Sequence, residues 1–356
     1  MKILVAMSGG VDSAVAAKLL TDAGNDCIGC TMKLYRNEDA GIVPTRTCCS
    51  LDDVEDARSV AYQLGMPYYV FNFSDDFREK VIGKFVDGYC RGLTPNPCID
   101  CNRYMKFDKL YRRAALLGCD CIATGHYARI ERENGKFVLK KALDLTKDQS
   151  YVLYMLTQEQ LAHTLFPLGA LCKHETRRLA AQRGLVNAQK PDSQDICFVP
   201  DGDYARVIEL HTGRPAAQGN FVSADGRIIG THNGLIRYTV GQHRGLGLSL
   251  PERRYVCRLC PQDNTVVLGT EAELYRRELT VADFNWIGGD APNGAIRCKA
   301  KLRYRQQEQP AVATPQPDGS VRLCFDAAQR AVTPGQAAVL YDGDTVLGGG
   351  TIVSVD

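Results

Sequence analysis

Hydrophobic positions in the first third of the chain fall into short solid runs separated by stretches of helical period. Lys2-Ile3-Leu4-Val5-Ala6-Met7 is one such run, the pattern of a strand covered on both faces. Behind it, Val15, Leu19 and Leu20 recur at the spacing of one helix face, with Asp12 or Ser13 placed to cap its start and Gly24 to end it. Cys27 to Tyr35 reads as a second strand. Ser50 and Asp53 open a helix that Gly65 and Pro67 close, and Tyr68 to Phe73 and Cys119 to Thr124 read as the third and fourth strands. Strands alternating with helices build a parallel α/β sheet of the Rossmann-like kind. Asn134-Gly135, between Arg129-Ile130 and Phe137-Val138-Leu139, marks a tight hairpin.

Beyond about residue 205 the pattern changes. Asp225-Gly226, Pro261 to Asn264, Asp318 to Ser320 and Tyr341 to Asp344 punctuate short β-rich stretches with no long helical period between them, as in small β domains or a barrel. The expected organisation is an α/β domain at 1–204, a small β-rich central domain at 205–275 and a C-terminal β-barrel at 276–356.

Composition narrows the setting. With 356 residues the chain is longer than one core usually serves, and 45% hydrophobic against 24% charged residues is an ordinary globular balance. No apolar run approaches the roughly 20 residues that cross a bilayer. Ile3 to Met7 is too short for a signal-peptide core, so a cytoplasmic location without membrane contact is expected. Fifteen cysteines cannot all pair internally; in a reducing cytosol they read as buried apolar residues plus a few that do chemistry.

Ser8-Gly9-Gly10-Val11-Asp12-Ser13 joins the first strand to the first helix. Its two glycines let backbone N–H groups approach a phosphate, and the helix start adds positive potential. The Walker A pattern is absent. A plain strand–helix turn is the bland alternative, but six residues in this context favour a phosphate. The hexapeptide resembles the pyrophosphate-loop signature of ATP pyrophosphatases, which cleave ATP between the α and β phosphates and adenylate a carbonyl oxygen.

Three Cys-x-x-Cys pairs occur. Cys27/Cys30 and Cys257/Cys260 fall on predicted strands, where residues three apart face opposite ways, so both pairs read as core cysteines. Cys98 and Cys101 instead follow the rigid Thr94-Pro95-Asn96-Pro97 loop and lead into a helix expected to begin near Asn102. Cys101 is thereby placed at a helix start that favours its thiolate. Cys197 alone reads as an ordinary buried cysteine; beside Cys101 it becomes a candidate second thiol. Cys48-Cys49 reads as incidental. His126, His232 and His243 lack ligand spacing, read as surface or capping residues, and are assigned no metal.

Residues 101–141 hold ten Lys/Arg against four Asp/Glu. Arg297, Lys299, Lys301, Arg303 and Arg305 recur at period two, so one strand face carries all five while Ile296, Cys298, Ala300, Leu302 and Tyr304 turn to the core. A face of one sign fits a phosphate backbone better than an ordinary solvated surface.

Taken in order, SGGVDS, Met32-Lys33, TPNP-x3-CN at 94–102, ATGHYAR at 123–129, KDQSY at 147–151, DSQDICF at 192–198, GQHRGLGL at 241–248, RYR at 303–305 and TPGQAAVLYDGD…LGGG at 333–350 resemble the tRNA-specific 2-thiouridylases over essentially the whole chain. The resemblance implies an ATP pyrophosphatase domain that holds ATP and Mg2+ with Ala6, Met7, Ser8, Gly9, Gly10, Val11, Asp12, Ser13, Met32 and Gly125. It implies that Asn96, Pro97 and Cys98 meet the target base, and that Lys147, Asp148, Gln149, Arg303 and Tyr304 contact tRNA. Cys101 matches the family nucleophile and Cys197 the persulfide carrier, loaded by a sulfur-donor protein such as a cysteine desulfurase or a relay. The implied substrate is the wobble uridine of glutamate, glutamine and lysine tRNAs.

Many members of that family carry Asp where this chain has Cys98, and Asp100 is the nearest substitute. Cys98, Cys101 and Cys197 would equally supply three thiolates to a [4Fe–4S] cluster with one iron open. Two rivals stand beside thiolation. A synthetase adenylating a small metabolite leaves the two cysteines without a task, and a non-catalytic RNA-binding module leaves the intact loop without one.

Overall fold

The computed structural model describes residues 1–41, 51–190, 196–199 and 201–355. Cys48, Cys49, Ser50 and the Asp192–Asp195 part of DSQDICF lie outside the described residues. Strands β1 (Lys2–Ala6), β2 (Asp26–Lys33), β3 (Tyr68–Asn72) and β4 (Cys121–Ala123) follow the predicted runs. The hairpin β5 (Ala128–Glu133) and β6 (Lys136–Lys141) precedes the short β7 (Thr164–Leu165). Asn134 and Gly135 take φ of 48° and 81°, the two left-handed positions of the predicted turn. The parallel sheet is ordered β3-β2-β1-β4-β7.

Both faces of this sheet are covered, which is why β1 is apolar throughout. Ile3, Val5 and Met7 pack with Val11 and Val15 of helix α1 (Val11–Asp22) and Ala57, Val60 and Ala61 of helix α2 (Leu51–Gln63). Leu4 and Ala6 pack on the other side with Phe77, Val81, Phe85, Phe107 and Leu110. Cys27 and Cys30 fall into these two opposite cores, as their strand spacing requires.

After a nine-residue helix at Tyr204–Thr212, which the turn-rich pattern concealed, β8 (Gly219–Ser223), β9 (Ile228–His232), β10 (Tyr255–Cys260) and β11 (Thr265–Gly269) form a small sheet ordered β10-β11-β8-β9. Six longer-range strands follow: β12 (Tyr275–Trp286), β13 (Ile296–Lys301), β14 (Gln309–Pro315), β15 (Val321–Arg330), β16 (Ala337–Asp342) and β17 (Thr345–Val355). Their order is β12-β15-β14-β13-β16-β17, and β17 pairs back on β12 to close a barrel. Among the described residues no helix is long and apolar enough to cross a membrane.

The barrel is fastened to the α/β domain through backbone groups. Thr345 of β17 pairs with Lys140 of β6, so the hairpin extends the barrel sheet. Thr94 N donates to Pro334 O at 2.9 Å, and Gln336 Nε2 donates to Thr94 O at 2.7 Å. Asn285 Nδ2 donates to the Tyr154 and Leu156 carbonyls at 2.7 and 3.0 Å. The Asn285→Ala variant leaves both carbonyls without that donor, and a loss of about 1–3 kcal/mol in urea unfolding is expected.

Candidate active site

The parallel strands deliver the site at their carboxyl ends, where an open α/β sheet binds ligands. Ala6 ends β1 and Met7 is tied to β2 through its N–H to Cys30 O at 2.7 Å and its carbonyl to Thr31 Oγ1 at 2.6 Å. Ser8 N donates to Ser13 Oγ at 3.1 Å, and Ser13 Oγ donates to Gly10 O at 3.0 Å. Gly10, in extended conformation, is the N-cap of α1, so neither Asp12 nor Ser13 caps the helix. Ser13 is spent folding the turn, and this leaves the first N–H groups of α1 without a side-chain cap. Gly9 has φ +74°, and a Cβ there would lie 2.4 Å from Asp53 O. A Cβ on Gly125 would lie 2.8 Å from Ser13 N. Met32 is half-buried near the end of β2.

Three partners of this turn were given no role from the sequence, because they lie far along the chain from it. Asn187 Nδ2 donates to Gly9 O and Gly10 O at 3.2 and 3.1 Å. Lys173 Nζ donates to both Asp12 oxygens at 2.7 Å, and Tyr127 Oη donates to Asp12 Oδ1 at 2.9 Å. Asp12 is thus a buttress of the turn, held by a helix and a strand end far along the chain.

The helix bearing the Cys98/Cys101 pair begins at Pro97 rather than near Asn102. Asn96 Oδ1 accepts from Cys98 N at 3.1 Å, and Pro97, which has no N–H to satisfy, takes the first helical position. Cys98 therefore occupies the helix start and Cys101 lies nearly a turn inside it. Cys98 is exposed yet densely surrounded, the condition of a recess, and desolvation raises its pKa against the pull of Lys106. Asp100, also pushed up by burial, faces Lys84 at 3.6 Å. Cys197 is anchored through its carbonyl, which accepts from Tyr35 Oη at 2.6 Å, and through its neighbour Phe198, buried edge-on to Phe77 and Phe85. Cys197 itself is exposed rather than buried. Among the described residues no three His, Cys, Asp or Glu side chains are gathered to hold a metal. Cys98, Cys101 and Cys197 as placed therefore do not fit a cluster.

Three family models cover the chain: a tRNA methyl transferase HUP domain at residues 1–201, a tRNA methyl transferase PRC-barrel domain at 209–270 and an aminomethyltransferase beta-barrel domain at 276–352. Full-length relatives carry a more specific name. The tRNA-specific 2-thiouridylase MnmA of Acetivibrio thermocellus is 51% identical over 99% of both chains. That of Clostridioides difficile is 47% identical over 99% of this chain and 98% of its own. The chain belongs to the tRNA-specific 2-thiouridylase family. The models' descriptions speak of methyl transfer, but identity near one half over the full length ties this chain to the thiouridylases. A solved 4-thiouridine synthetase–RNA complex with bound ATP aligns with 59% of this chain and 51% of its own at 17% identity and TM-score 0.37, too low to carry weight.

In this 2-thiouridylase the remaining candidate residues divide into buried and exposed groups. Asp148 is buried and its carboxylate accepts from Ala142 N, Ser150 N and Ser150 Oγ. Gln149 Oε1 accepts from Tyr127 N at 2.9 Å, which ties the Lys147–Gln149 segment to the start of β5. The basic strand is shorter than expected. Arg297, Lys299 and Lys301 do alternate with buried Cys298 and Ala300, but β13 ends at Lys301. Arg303 then folds back to donate to Ala331 O at 3.0 Å and Thr333 Oγ1 at 2.6 Å. Tyr304, expected in the core, is exposed and lies within electrostatic reach of Asp148 and Cys98. Arg297 pairs with Asp326, and within 101–141 Lys109, Arg112, Arg129, Lys140 and Lys141 all pair with acids.

Two of the three singled-out histidines are buried, against expectation. His126 is 7% exposed, and desolvation, with the Lys106 charge second, holds its pKa well below the usual value. His232 is 2% exposed and its pKa is lowered, again by burial. A depressed histidine binds fewer protons folded than unfolded, so its contribution is present above the unfolded pKa near 6.5 and is lost as pH falls below it. Stability to urea should therefore drop between about pH 7 and pH 5. His126→Gln should flatten part of that slope; an unchanged slope would show that His126 is not neutral in the folded chain.

Proposed function

We propose that the chain catalyses ATP-dependent 2-thiolation of the wobble uridine of tRNA (Glu, Gln, Lys), with Cys197 carrying the sulfur as a persulfide and Cys101 as the resolving nucleophile. The observation that carries this reading is full-length membership of the 2-thiouridylase family. It is supported by a nucleotide-type turn at the end of β1 and by a helix that bears the Cys98/Cys101 pair. The turn from Ala6 to Ser13, with Met32 and Gly125, would hold ATP. Mg2+ would be bound largely through the ATP phosphates.

Carbonyl oxygen 2 of uridine is a poor leaving group. Its attack on the α-phosphorus breaks the bond to pyrophosphate, releases the N3 proton and turns that oxygen into part of AMP. The terminal persulfide sulfur on Cys197 then attacks carbon 2 and AMP departs with both electrons of the C2–O bond. Cys101 thiolate attacks Cys197 Sγ, the sulfur–sulfur bond of the adduct breaks, and 2-thiouridine leaves and regains its proton. The Cys101–Cys197 disulfide that remains takes two electrons from a dithiol reductant. A sulfur-donor protein reloads Cys197. The target base must leave the anticodon stack to meet these groups, with Asn96, Pro97 and Cys98 at the entrance of the recess.

Cys101→Ala and Cys197→Ala should each abolish 2-thiouridine in tRNA when tested for rescue of cells lacking the protein. Mass analysis of the nucleosides is the readout, and full thiolation by either variant would remove that cysteine from the pathway. On the RNA side, Arg305→Ala should weaken tRNA binding and reduce the salt slope by about one unit, the signature of one phosphate contact. Arg303→Ala should instead lower stability, because its guanidinium closes the end of β13.

A further inference from the structure

Residues Cys101–Leu110 are wound as a π-helix between the α-helical turns Pro97–Asp100 and Tyr111–Leu116. Hydrogen bonds running from i to i+5 bring residues five apart toward one side, so Lys106 is carried round toward the side of Cys101. In an α-helix, where stacked neighbours are three and four apart, it would turn further away. The Lys106 charge is also felt at Cys98.

The other end of the Lys106 side chain has an unusual tether. Its ammonium lies 3.4 Å from His126 Nε2, and His126 Nδ1 lies 2.7 Å from Thr124 Oγ1. His126 is enclosed by Phe107 and Phe166 and is neutral for the reasons given above. With Nδ1–H turned to Thr124, the Nε2 lone pair faces the ammonium, so the tether carries no negative charge. Among the described residues Lys106 enters no ion pair, whereas Lys109 and Arg112 on the same helix and Lys84 nearby each have a carboxylate. Thr124-Gly125-His126 then runs directly onto the nucleotide turn, with Gly125 seated on Ser13. Through this tether a cation without an ion pair joins the helix of the thiol pair to the segment that carries Gly125.

We propose that Lys106 is a catalytic residue of the thiolation described above, on which this inference rests, and that His126 is its positioning residue. Lys106 faces the oxygen that joins uridine to the α-phosphorus. When the C2–O bond breaks, negative charge grows on that oxygen as AMP leaves, and the ammonium stabilises it without gaining or losing a proton. His126 aims the ammonium and, being neutral, leaves its charge undiminished.

The test uses the full-length protein with tRNA, ATP, a cysteine desulfurase with cysteine as the persulfide donor and a dithiol reductant, comparing the unaltered chain with Lys106→Met, Lys106→Arg and His126→Asn. Lys106→Met should lower kcat for 2-thiouridine about 10²–10³-fold while KM for ATP and Kd for tRNA stay within about threefold. Lys106→Arg, which keeps the charge, should recover at least about tenfold of that loss, and His126→Asn should lower kcat about tenfold at unchanged KM. A Met variant with kcat within about threefold of the unaltered chain overturns the proposal, as does a loss of ATP or tRNA binding that accounts for the whole effect. Failure of the unaltered chain to thiolate overturns the parent reading and this one together, which separates the two failures.

Discussion

Backbone packed directly on backbone around the Ser8–Ser13 turn is the constraint on which the rest of the site depends. Gly9 lies under the Asp53 carbonyl at the start of α2, and Gly125 lies against Ser13 at the start of α1. A single added carbon at either place would push two main chains apart, and main chains in a packed sheet have nowhere to go. Asn187 closes the arrangement by bonding the Gly9 and Gly10 carbonyls. The Gly9 and Gly10 carbonyls are thus held toward the protein, while the first N–H groups of α1 have no side-chain cap. The position of Gly125 in turn sets Thr124 and His126, and through them the head of Lys106.

Features governed by local chemistry were legible in the sequence. The first strand, the turn after it, the Asn134-Gly135 hairpin and the core destiny of Cys27 and Cys30 all follow from short-range pattern, and each stands where pattern put it. The helix at Pro97 shows how local signals can be misjudged. Asn96 followed by Pro97 is a cap and a first helical residue, but two prolines so close together also read as rigid loop, which displaced the expected start to Asn102. What could not be read were partnerships across the fold. Nothing near Asp12 announces Lys173, nothing near Gly9 announces Asn187, and nothing in the β5–β6 hairpin announces that it will extend the barrel sheet.

The barrel strand makes the same point from the other direction. Alternation predicted five cations on one face of β13, and it held as far as Lys301, where the pleat ends. Arg303 then answers to the Ala331 carbonyl and the Thr333 hydroxyl instead of to the period-two rule. Its displacement leaves Tyr304 exposed near Asp148 and Cys98, so a residue assigned to the core by arithmetic belongs to the recess instead. The Thr94–Pro334 and Gln336–Thr94 bonds hold the barrel against the loop that leads into Cys98. Barrel and α/β domain therefore meet at the loop that leads into Cys98.

Charge pairing divides the cations of 101–141: six meet a carboxylate, whereas Arg103, Lys106, Arg113 and Arg132 enter no ion pair among the described residues. Along 101–141 most lysines and arginines meet a carboxylate of the chain itself, and charge engaged in this way adds little to attraction for RNA. The raw excess of positive charge thus overstates the phosphate-binding surface. Lys106 differs because its partner is a buried imidazole held neutral by its own burial. A neutral imidazole holds the ammonium without cancelling its charge. The nucleotide and the RNA are the anionic reactants of the proposed reaction, and in that reading the charge serves the occupied site.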